Sequence, residues 1–277
     1  MCGIVGYFGF QDAELLYDML NSIKHRGPDD EGTFSDNSIA LGVRRLSIID
    51  IERGHQPLHN EDKTVWIVFN GEIYNFLDVR NELANLGHEF YTNTDTETIV
   101  HAYEEWNTEC LSKLNGMFAF AIWDKNRHTL FLARDRLGIT PLYYYGSPKR
   151  FLLASEIKAL LADPTVPRNP NEQVLYEFLL TGYQNHVGKT FFTSIKELPA
   201  AHYLLVNQEQ VVVRRYWNPT AFEPIKPASD SDNASKFRDL LLDAIKIRLH
   251  SDLAVGYYLS GGLDSTSIVC LANQVLR

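Results

Sequence analysis

Short apolar runs separated by polar stretches predict many β-strands. Residues 2–10 are small, apolar or aromatic with a glycine at every third position, which indicates a buried strand with close backbone approaches. Further runs of strand character cover residues 39–41, 65–69, 117–123, 129–133, 142–145 and 151–154. Because these runs are short and follow one another closely, they favour a largely antiparallel sheet system, with a hairpin loop at residues 124–128.

Apolar residues at helical spacing alternate with these strands. The spacing predicts helices over residues 12–24 and 77–86 and a third helix after Thr94, where Thr94 and Glu97 form a capping-box pattern. We therefore expect an α+β fold in this part of the chain.

The composition changes near residue 218. Residues 218–233 are rich in Pro and Asp, which sustain neither a strand ladder nor a helix, so we expect a linker here. It separates a first domain, residues 1–217, from the beginning of a second, residues 234–277. The second domain opens with apolar residues at helical spacing over 234–249.

Composition and charge narrow the class of function. The chain has 277 residues, 45% hydrophobic and 22% charged, which fits a soluble globular protein. The net charge is −9 without any basic run, so we expect neither nucleic acid nor a membrane surface as partner. Three distant cysteines without a CxxC pair, and no apolar segment of spanning length, predict a cytoplasmic protein.

Cys2 follows only the initiator methionine, and a small second residue lets that methionine be removed. Removal would place a thiol and a free α-amine on one residue, so that nucleophile and base occur together. The ordinary pKa of such an amine, roughly 7.7 to 8.0, suits proton transfer near neutral pH. On position alone, a small buried hydrophobic residue is the favoured interpretation, and the decision rests on the remaining sequence.

Three further sites have an ordinary structural interpretation when each is taken alone, and they suggest chemistry only when they are taken together. Asn70-Gly71 follows a predicted strand and by itself indicates a plain turn. Arg45 stands next to Arg44, as in a solvated pair of surface charges. Asp95 falls in a predicted first helical turn, where the helix dipole favours an acid without any ligand.

Together with Cys2, these sites resemble the N-terminal-nucleophile glutamine amidotransferases, in which a terminal cysteine hydrolyses glutamine to glutamate and ammonia. The motifs that carry the resemblance are Cys2-Gly3-Ile4-Val5-Gly6, His25-Arg26-Gly27-Pro28-Asp29, Arg45-Leu46-Ser47-Ile48-Ile49-Asp50, Asn70-Gly71-Glu72-Ile73-Tyr74-Asn75 and Asp95. The resemblance implies the αββα four-layer sandwich of these hydrolases, with no cofactor for glutamine hydrolysis.

The resemblance also implies a role for individual residues. Cys2 would be the nucleophile, and the Asn70 side-chain amide and the Gly71 backbone N–H would form the oxyanion hole. Arg45 would bind the α-carboxylate of glutamine and Asp95 its α-ammonium group. The glutamine-binding residues so implied are Arg45, Leu46, Ser47, Ile48, Ile49, Asn70, Gly71, Glu72 and Asp95.

We expect no metal site. His55 and His59 have the spacing of two helical metal ligands, but Gly54 and Pro57 exclude a regular helix between them. No third ligand is in register with the pair.

A second motif, Ser260-Gly261-Gly262-Leu263-Asp264-Ser265, follows an apolar run at 254–259 that we expect to be a strand, and it opens a predicted helix. Glycines let the backbone approach phosphate oxygens, serines add hydroxyl donors, and the helix N-terminus offers N–H groups. The alternative is a glycine-rich turn without a ligand. The motif resembles the SGGxDS loop of ATP pyrophosphatases. That resemblance implies the beginning of an α/β domain and ATP binding by Leu259, Ser260, Gly261, Gly262, Asp264 and Ser265.

In this order the two motifs resemble the glutamine-hydrolysing asparagine synthetase family. The family implies that ammonia from glutamine reaches an aspartate adenylated by ATP with Mg²⁺, so glutamine, aspartate and ATP are the expected partners; homodimer formation stays open. Two alternatives remain. One is an amidotransferase acting on another acceptor, such as a sugar acid, a peptide or an antibiotic precursor, and the other is a non-enzymatic regulatory or storage protein of the same fold.

Two segments depart from the family pattern. Thr140 stands where the family usually has Lys, and Ala200-Ala201 where it usually has Pro-Gly. Both lie outside the matched glutaminase positions and therefore bear on the acceptor rather than on glutamine hydrolysis. The chain also ends 12 residues after Ser265, whereas the family's synthetase domain continues well beyond, so we expect a fragment or a truncated product.

Overall fold

The computed structural model describes residues 1–183, 188–221 and 229–276. The chain forms two compact units, Met1–Asn218 and Pro219–Arg277. Within the described ranges, no helix combines the length and the apolar character that crossing a membrane requires.

The described part of the first unit contains two six-stranded sheets. Its strands in chain order are β1 (Gly3–Phe8), β2 (Asp30–Asp36), β3 (Ile39–Arg45), β4 (Leu58–His59), β5 (Val65–Ile73), β6 (Gly116–Asp124), β7 (Thr129–Arg134), β8 (Tyr143–Ser147), β9 (Arg150–Ala154), β10 (Lys196–Glu197), β11 (His202–Val206) and β12 (Val211–Arg215). One sheet has the order β10-β8-β9-β1-β3-β2 and the other β12-β11-β7-β6-β5-β4. Neighbouring strands pair antiparallel throughout, which confirms the predicted sheet type.

Helices cover the outer faces of the sheets. They are α1 (Ala13–Ser22), α2 (Phe76–Asn85), α3 (Asp95–Trp106), α4 (Cys110–Lys113) and α5 (Ile157–Leu160). A further helix, α6 (Glu172–Thr181), buries Val174 alone. The three helices predicted from spacing in the first unit are confirmed as α1, α2 and α3. The capping box is only half formed. Thr94 accepts the Glu97 N–H at 3.2 Å, whereas the Glu97 carboxylate accepts the N–H groups of Tyr91 and Thr92 instead of that of Thr94.

Side chains that alternate between the two faces of the central strands divide the core into layers. Ile4 of β1 and Ala121 of β6 belong to the cluster between the two sheets. The adjacent Val5 packs with α1 and α5, and the adjacent Phe120 packs with α2 and α3. Because successive side chains of a strand point to opposite faces, each sheet is buried on both sides. The result is the four-layer αββα sandwich that the resemblance implied.

Five strands were not anticipated from the sequence: β4 and β10, which have two residues each, and β2, β11 and β12. β2 has Phe34 as its single large apolar residue, yet it pairs with β3 along its whole length. β11 and β12 extend the second sheet beyond β7. β2 lies at a sheet edge through backbone pairing with β3 rather than through its own hydrophobic pattern, whereas β12 carries three consecutive valines and forms the edge beside β11.

The second unit corrects two predictions. Its described helices are α7 (Asp230–Lys246) and α8 (Leu263–Val275). The predicted linker is therefore helical from Asp230. Ser229 caps this helix, and acidic residues suit its first turn. Residues 222–228 of the linker, with Pro224 and Pro227, lie outside the described residues. The strand predicted at 254–259 is wrong: this run has no regular structure, because no described strand pairs with it and a strand needs a neighbour for its hydrogen bonds.

Candidate active site

The Cys2 thiol is held at the beginning of β1. Its Sγ accepts the Leu46 N–H at 3.3 Å and donates to the Leu46 carbonyl oxygen at 3.6 Å. Arg26 Nε donates to the Cys2 carbonyl oxygen at 2.8 Å and fixes the backbone. Burial raises the pKa of the thiol, while the Leu46 N–H and the charge of Arg45 act in the opposite direction. The thiol therefore has a defined orientation but needs a base for ionisation near neutral pH.

Arg45 ends β3 with its side chain buried. It is 5% exposed, and Nη1 donates to the Ile51 carbonyl at 3.2 Å while Nη2 donates to those of Ile49 and Asp50 at 2.9 and 3.0 Å. No carboxylate of the described residues forms an ion pair with it. Arg44 is buried as well, so the interpretation as a solvated surface pair is wrong. The guanidinium shapes the following loop and retains a positive charge without a carboxylate partner among the described residues.

Asn70 and Gly71 lie inside β5, which continues to Ile73 in register with β6. The interpretation as a plain turn is therefore wrong. Asn70 is fully buried, and neither its Oδ1 nor its Nδ2 has a hydrogen-bond partner. Gly71 has a φ of +152°, and a Cβ there would overlap the Met117 carbonyl oxygen. Only glycine lets the two strands approach so closely at this point.

Asp95 is the first residue of α3, and its carboxylate is buried. Oδ2 accepts the Ile73 N–H at 3.0 Å, which joins the helix to the end of β5. Burial, aided by the nearby charge of Glu72 and opposed by the hydrogen bond from Ile73, raises the pKa of Asp95 to about 7. Near neutral pH the group is poised between its neutral and charged forms.

A cavity of about 50 Å³ brings these elements together. Nine of the ten predicted catalytic and glutamine-binding residues line it: Cys2, Arg45, Leu46, Ile48, Ile49, Asn70, Gly71, Glu72 and Asp95. Ser47 does not, and its backbone N–H donates to Asp29 Oδ2 at 3.0 Å. The cavity thus combines a thiol, an unpartnered amide, a buried cation and a titratable carboxylate.

Several lining residues were missed by the sequence analysis. They are Met1, Gly54, Gln56, Phe69, Thr94, Thr96 and Met117. Gln56 connects β5 with α3, because its Oε1 accepts the Phe69 N–H at 2.7 Å and its Nε2 donates to Thr96 Oγ1 at 3.5 Å. A Cβ at Gly54 would overlap Nη2 of Arg45. No spacing along the chain connects these residues, and the one usable signal was a glycine in an otherwise polar loop.

The predicted phosphate loop lies in the second unit. Gly262 caps α8, Gly261 has a φ of +82°, and the hydroxyls of Ser260 and Ser265 are 3.0 Å apart. The Gly262 N–H donates to Ser260 Oγ at 3.4 Å. Leu259, Asp264 and the loop are on the surface. Serine hydroxyls beside a helix N-terminus are chemically suited to phosphate oxygens.

Family models match both units. A glutamine amidotransferase domain model matches residues 1–217, and an asparagine synthase model matches residues 236–277.

Curated relatives extend the similarity along nearly the whole chain. Asparagine synthetase [glutamine-hydrolyzing] 3 of Bacillus subtilis (strain 168) is 39% identical over 279 residues, which cover 98% of this chain and 45% of that protein. Asparagine synthetase [glutamine-hydrolyzing] 1 of the same organism is 38% identical over 285 residues, 99% of this chain and 44% of that protein. Amidase chry2 of Gibberella zeae is 35% identical over 278 residues, 96% of this chain and 40% of that protein. The chain spans about half the length of the first two relatives or less.

Solved structures share the fold. Glutamine phosphoribosylpyrophosphate amidotransferase from B. subtilis, complexed with ADP and GMP, aligns over 99% of this chain and 64% of its own with a TM-score of 0.59 at 20% identity. The allosteric regulatory enzyme of purine biosynthesis aligns over 77% of this chain and 49% of its own with a TM-score of 0.58 at 21% identity. The two-sheet architecture agrees with these folds, and the domain model matches most of the chain. The chain therefore belongs to the glutamine amidotransferase domain family.

Proposed function

We propose that the cavity around Cys2 hydrolyses glutamine to glutamate and ammonia. The observation that carries this proposal is the Asn70 amide, which is fully buried in the wall of the cavity without a partner for either polar atom. Leaving a buried polar group unpaired costs about 1–3 kcal/mol, so such a group calls for a functional explanation. A developing oxyanion next to the thiol is a ligand that suits a free N–H donor.

The charges of the cavity suit the amino-acid end of glutamine. Arg45 is a buried cation without a carboxylate partner among the described residues, and it matches an α-carboxylate. Asp95, when ionised, matches an α-ammonium group. Both side chains line the same cavity as Cys2, so binding at these two points leaves the carboxamide of the ligand for the thiol.

The proposed reaction uses Cys2 after removal of Met1. The free α-amine takes the thiol proton, and the thiolate attacks the carboxamide carbon. Asn70 Nδ2 and the Gly71 N–H donate to the oxyanion of the tetrahedral intermediate. The protonated amine returns its proton to the leaving nitrogen, the C–N bond breaks, and ammonia leaves a thioester. The amine then takes a proton from water, and the resulting hydroxide attacks the thioester. The C–S bond breaks, glutamate leaves, and the protonated amine returns its proton to the thiolate, which restores the thiol.

The test combines the identity of the N-terminal residue in active protein with the kinetics of glutamine hydrolysis by variants. N-terminal sequencing of active protein should begin at Cys2, and Cys2→Ala should abolish glutamate release. Asn70→Ala should lower kcat by roughly 10²- to 10³-fold with little change in KM, because an oxyanion donor acts in the transition state. Cys270→Ala is the control, since Cys270 is an exposed thiol outside the cavity. Full activity with Met1 retained, or in Asn70→Ala, would contradict the proposal.

We further propose that the whole protein transfers this ammonia to aspartate and forms asparagine. The asparagine synthase match over residues 236–277 and the names of the Bacillus relatives support this step. ATP with Mg²⁺ supplies the activation of the acceptor carboxylate as an adenylate. Ser260, Gly261, Gly262, Asp264 and Ser265, with Leu259 before them, would hold its phosphates.

A second acceptor class has one specific observation in its favour. A relative named as an amidase, chry2, is 35% identical over 96% of this chain. Incubation of the whole protein with glutamine, ATP, Mg²⁺ and either aspartate or other carboxylic acids distinguishes the two, because the amide product and pyrophosphate form only with the true acceptor. Amide formation with aspartate would support asparagine synthesis, and its absence alongside another amide product would overturn it.

A further inference from the structure

A second cluster of ligand-type side chains lies outside the residues that line the Cys2 cavity. Glu61 follows β4, His88 follows α2, and His101 and Glu104 lie on α3. One potential ligand atom from each of the four lies within 4.8 Å of the others. Among the described residues, this is the single group of three or more His, Cys, Asp or Glu side chains with such geometry.

The distances within the cluster are close to those of a four-coordinate metal site. His101 Nδ1 is 2.8 Å from Glu104 Oε2 and 3.7 Å from Glu61 Oε2, and His88 Nδ1 is 3.9 Å from Glu104 Oε2. Tetrahedral bonds of 2.0 to 2.1 Å to zinc place ligand atoms roughly 3.3 Å apart. The observed distances lie on both sides of this value, so small side-chain rotations complete the geometry.

Hydrogen bonds hold the two carboxylates in position. Glu104 Oε1 accepts from Nδ2 of the buried Asn60 at 2.6 Å, and Glu61 Oε1 accepts the Glu89 N–H at 3.1 Å. In both cases one oxygen is anchored by the protein while the other faces His101 Nδ1. The carboxylates are therefore oriented before any ligand arrives.

The outer nitrogens of both imidazoles also face carboxylates. His88 Nε2 is 3.4 Å from Glu105 Oε2, and His101 Nε2 is 3.6 Å from Glu97 Oε1. The His101 side chain is 0% exposed, so its Nε2 faces the Glu97 carboxylate away from solvent. A carboxylate behind the outer ring nitrogen is the arrangement that orients metal-binding histidines. Four carboxylates thus surround two imidazoles.

We propose that Glu61, His88, His101 and Glu104 bind one divalent transition-metal ion, with zinc as the best match. Two imidazole nitrogens and two carboxylate oxygens suit zinc, whereas Mg²⁺ and Ca²⁺ prefer oxygen ligands alone. Four protein ligands make a closed, structural site. It joins the turn at Glu61 and the loop at His88 to α3, whose first residue, Asp95, lines the Cys2 cavity.

The binding test uses the full chain after chelator treatment and dialysis. Titration with Co²⁺ should give the visible absorption of a four-coordinate site that saturates at a single ion per chain. It should lack the near-ultraviolet charge-transfer band that thiolate ligation by Cys2 or Cys270 would produce. Zn²⁺ should displace the Co²⁺, and excess Mg²⁺ should not. No saturable spectrum, or a spectrum with the thiolate band alone, would overturn the proposal whatever the outcome for glutamine hydrolysis.

Substitution of the proposed ligand residues tests where the ion binds. His88→Ala and Glu61→Gln should each lower the Zn²⁺ affinity at least about tenfold, with unchanged far-ultraviolet circular dichroism. Both positions are partly exposed, so these changes spare the core. His55→Ala is the matched control, because His55 Nδ1 lies 2.7 Å from Asp30 Oδ2 but belongs to no larger ligand group among the described residues. An equal loss of affinity in the control, or undiminished affinity in both variants, would overturn the assignment.

Discussion

Burial sets the chemistry of this cavity at three residues, Asn70, Asp95 and Arg45. Asn70 keeps an amide without partners, and burial raises the pKa of Asp95 to about 7. Arg45 keeps a buried charge that is balanced by three loop carbonyls rather than by a carboxylate. Each state costs stability in the free protein, and each would be relieved by one part of the glutamine proposed to bind here. The site therefore favours binding at the expense of folding free energy.

Asp95→Asn should raise the free energy of unfolding, and more at pH 8 than at pH 5. The pKa of Asp95 is about 7 in the folded protein against an ordinary value of 3.8, so folding disfavours the ionised form. The resulting destabilisation grows as the pH rises from 3.8 to about 7 and is constant above that range. Asn still accepts the Ile73 N–H but carries no charge. Urea unfolding at both pH values measures the difference.

Asp62→Asn is the control for this pH dependence. The hydrogen bonds from Thr64 lower the pKa of Asp62, so its contribution to stability is lost only as the pH falls through the folded-state pKa. Both test values lie above that range, and Asp62→Asn should have the same effect at each. An Asp95→Asn effect that is equal at pH 5 and pH 8 would argue against the raised pKa.

Among the secondary-structure elements, β5 contributes four of the residues that line the cavity. It carries Asn70, Gly71 and Glu72, ends at the N–H that Asp95 accepts, and pairs with β6 over its full length. The strand remains continuous at Gly71 because the missing side chain lets the Met117 carbonyl approach. The backbone N–H proposed for the oxyanion hole is thus held by a strand rather than by a loop.

Gly71→Ala should destabilise the protein much more than Gly87→Ala. Both glycines have positive φ, +152° and +103°, but a Cβ at Gly71 would overlap the β6 backbone, whereas at Gly87 nothing lies within 4 Å. Gly87→Ala should therefore cost about 1–2 kcal/mol for the backbone conformation alone. Gly71→Ala should cost more than about 3 kcal/mol or prevent folding, because strands β5 and β6 must separate. Denaturant unfolding of both variants measures this, and equal costs would show that the strands absorb the methyl group.

At the scale of the whole molecule, the two proposed chemistries fall in different units. Every residue that lines the Cys2 cavity lies in the first unit, and the loop Ser260–Ser265 lies in the second. The groups proposed for glutamine hydrolysis thus come from one compact body with its own three core clusters. The second unit adds only the groups proposed for the phosphates.

Glutamate release by this chain should need neither ATP nor aspartate. Omission of ATP and Mg²⁺ should leave the rate unchanged, and so should Ser265→Ala, because none of the groups proposed for hydrolysis lies in the second unit. Glutamate, pyrophosphate and asparagine are followed separately in one incubation. A loss of glutamate release in Ser265→Ala, or strict dependence on ATP, would show that the loop takes part in hydrolysis.

The sequence alone determined the local features of this protein. Apolar spacing predicted α1, α2, α3 and the central strands, since side-chain periodicity is a property of neighbouring residues. The position and chemistry of Cys2, with its surrounding motifs, indicated the family and nine of the residues that line the cavity. The glycine-rich loop before α8 was also recognisable from neighbouring residues alone.

Tertiary structure decided everything that depends on partners distant in sequence. It placed the Asn70 side chain inside a strand without a hydrogen-bond partner and raised the pKa of Asp95. It also left the run at 254–259 without a neighbouring strand among the described residues. It also brought Glu61 and His88 to the side of α3. Burial, hydrogen-bond satisfaction and ligand geometry are set by which segments meet in space, and no spacing along the chain encodes that meeting.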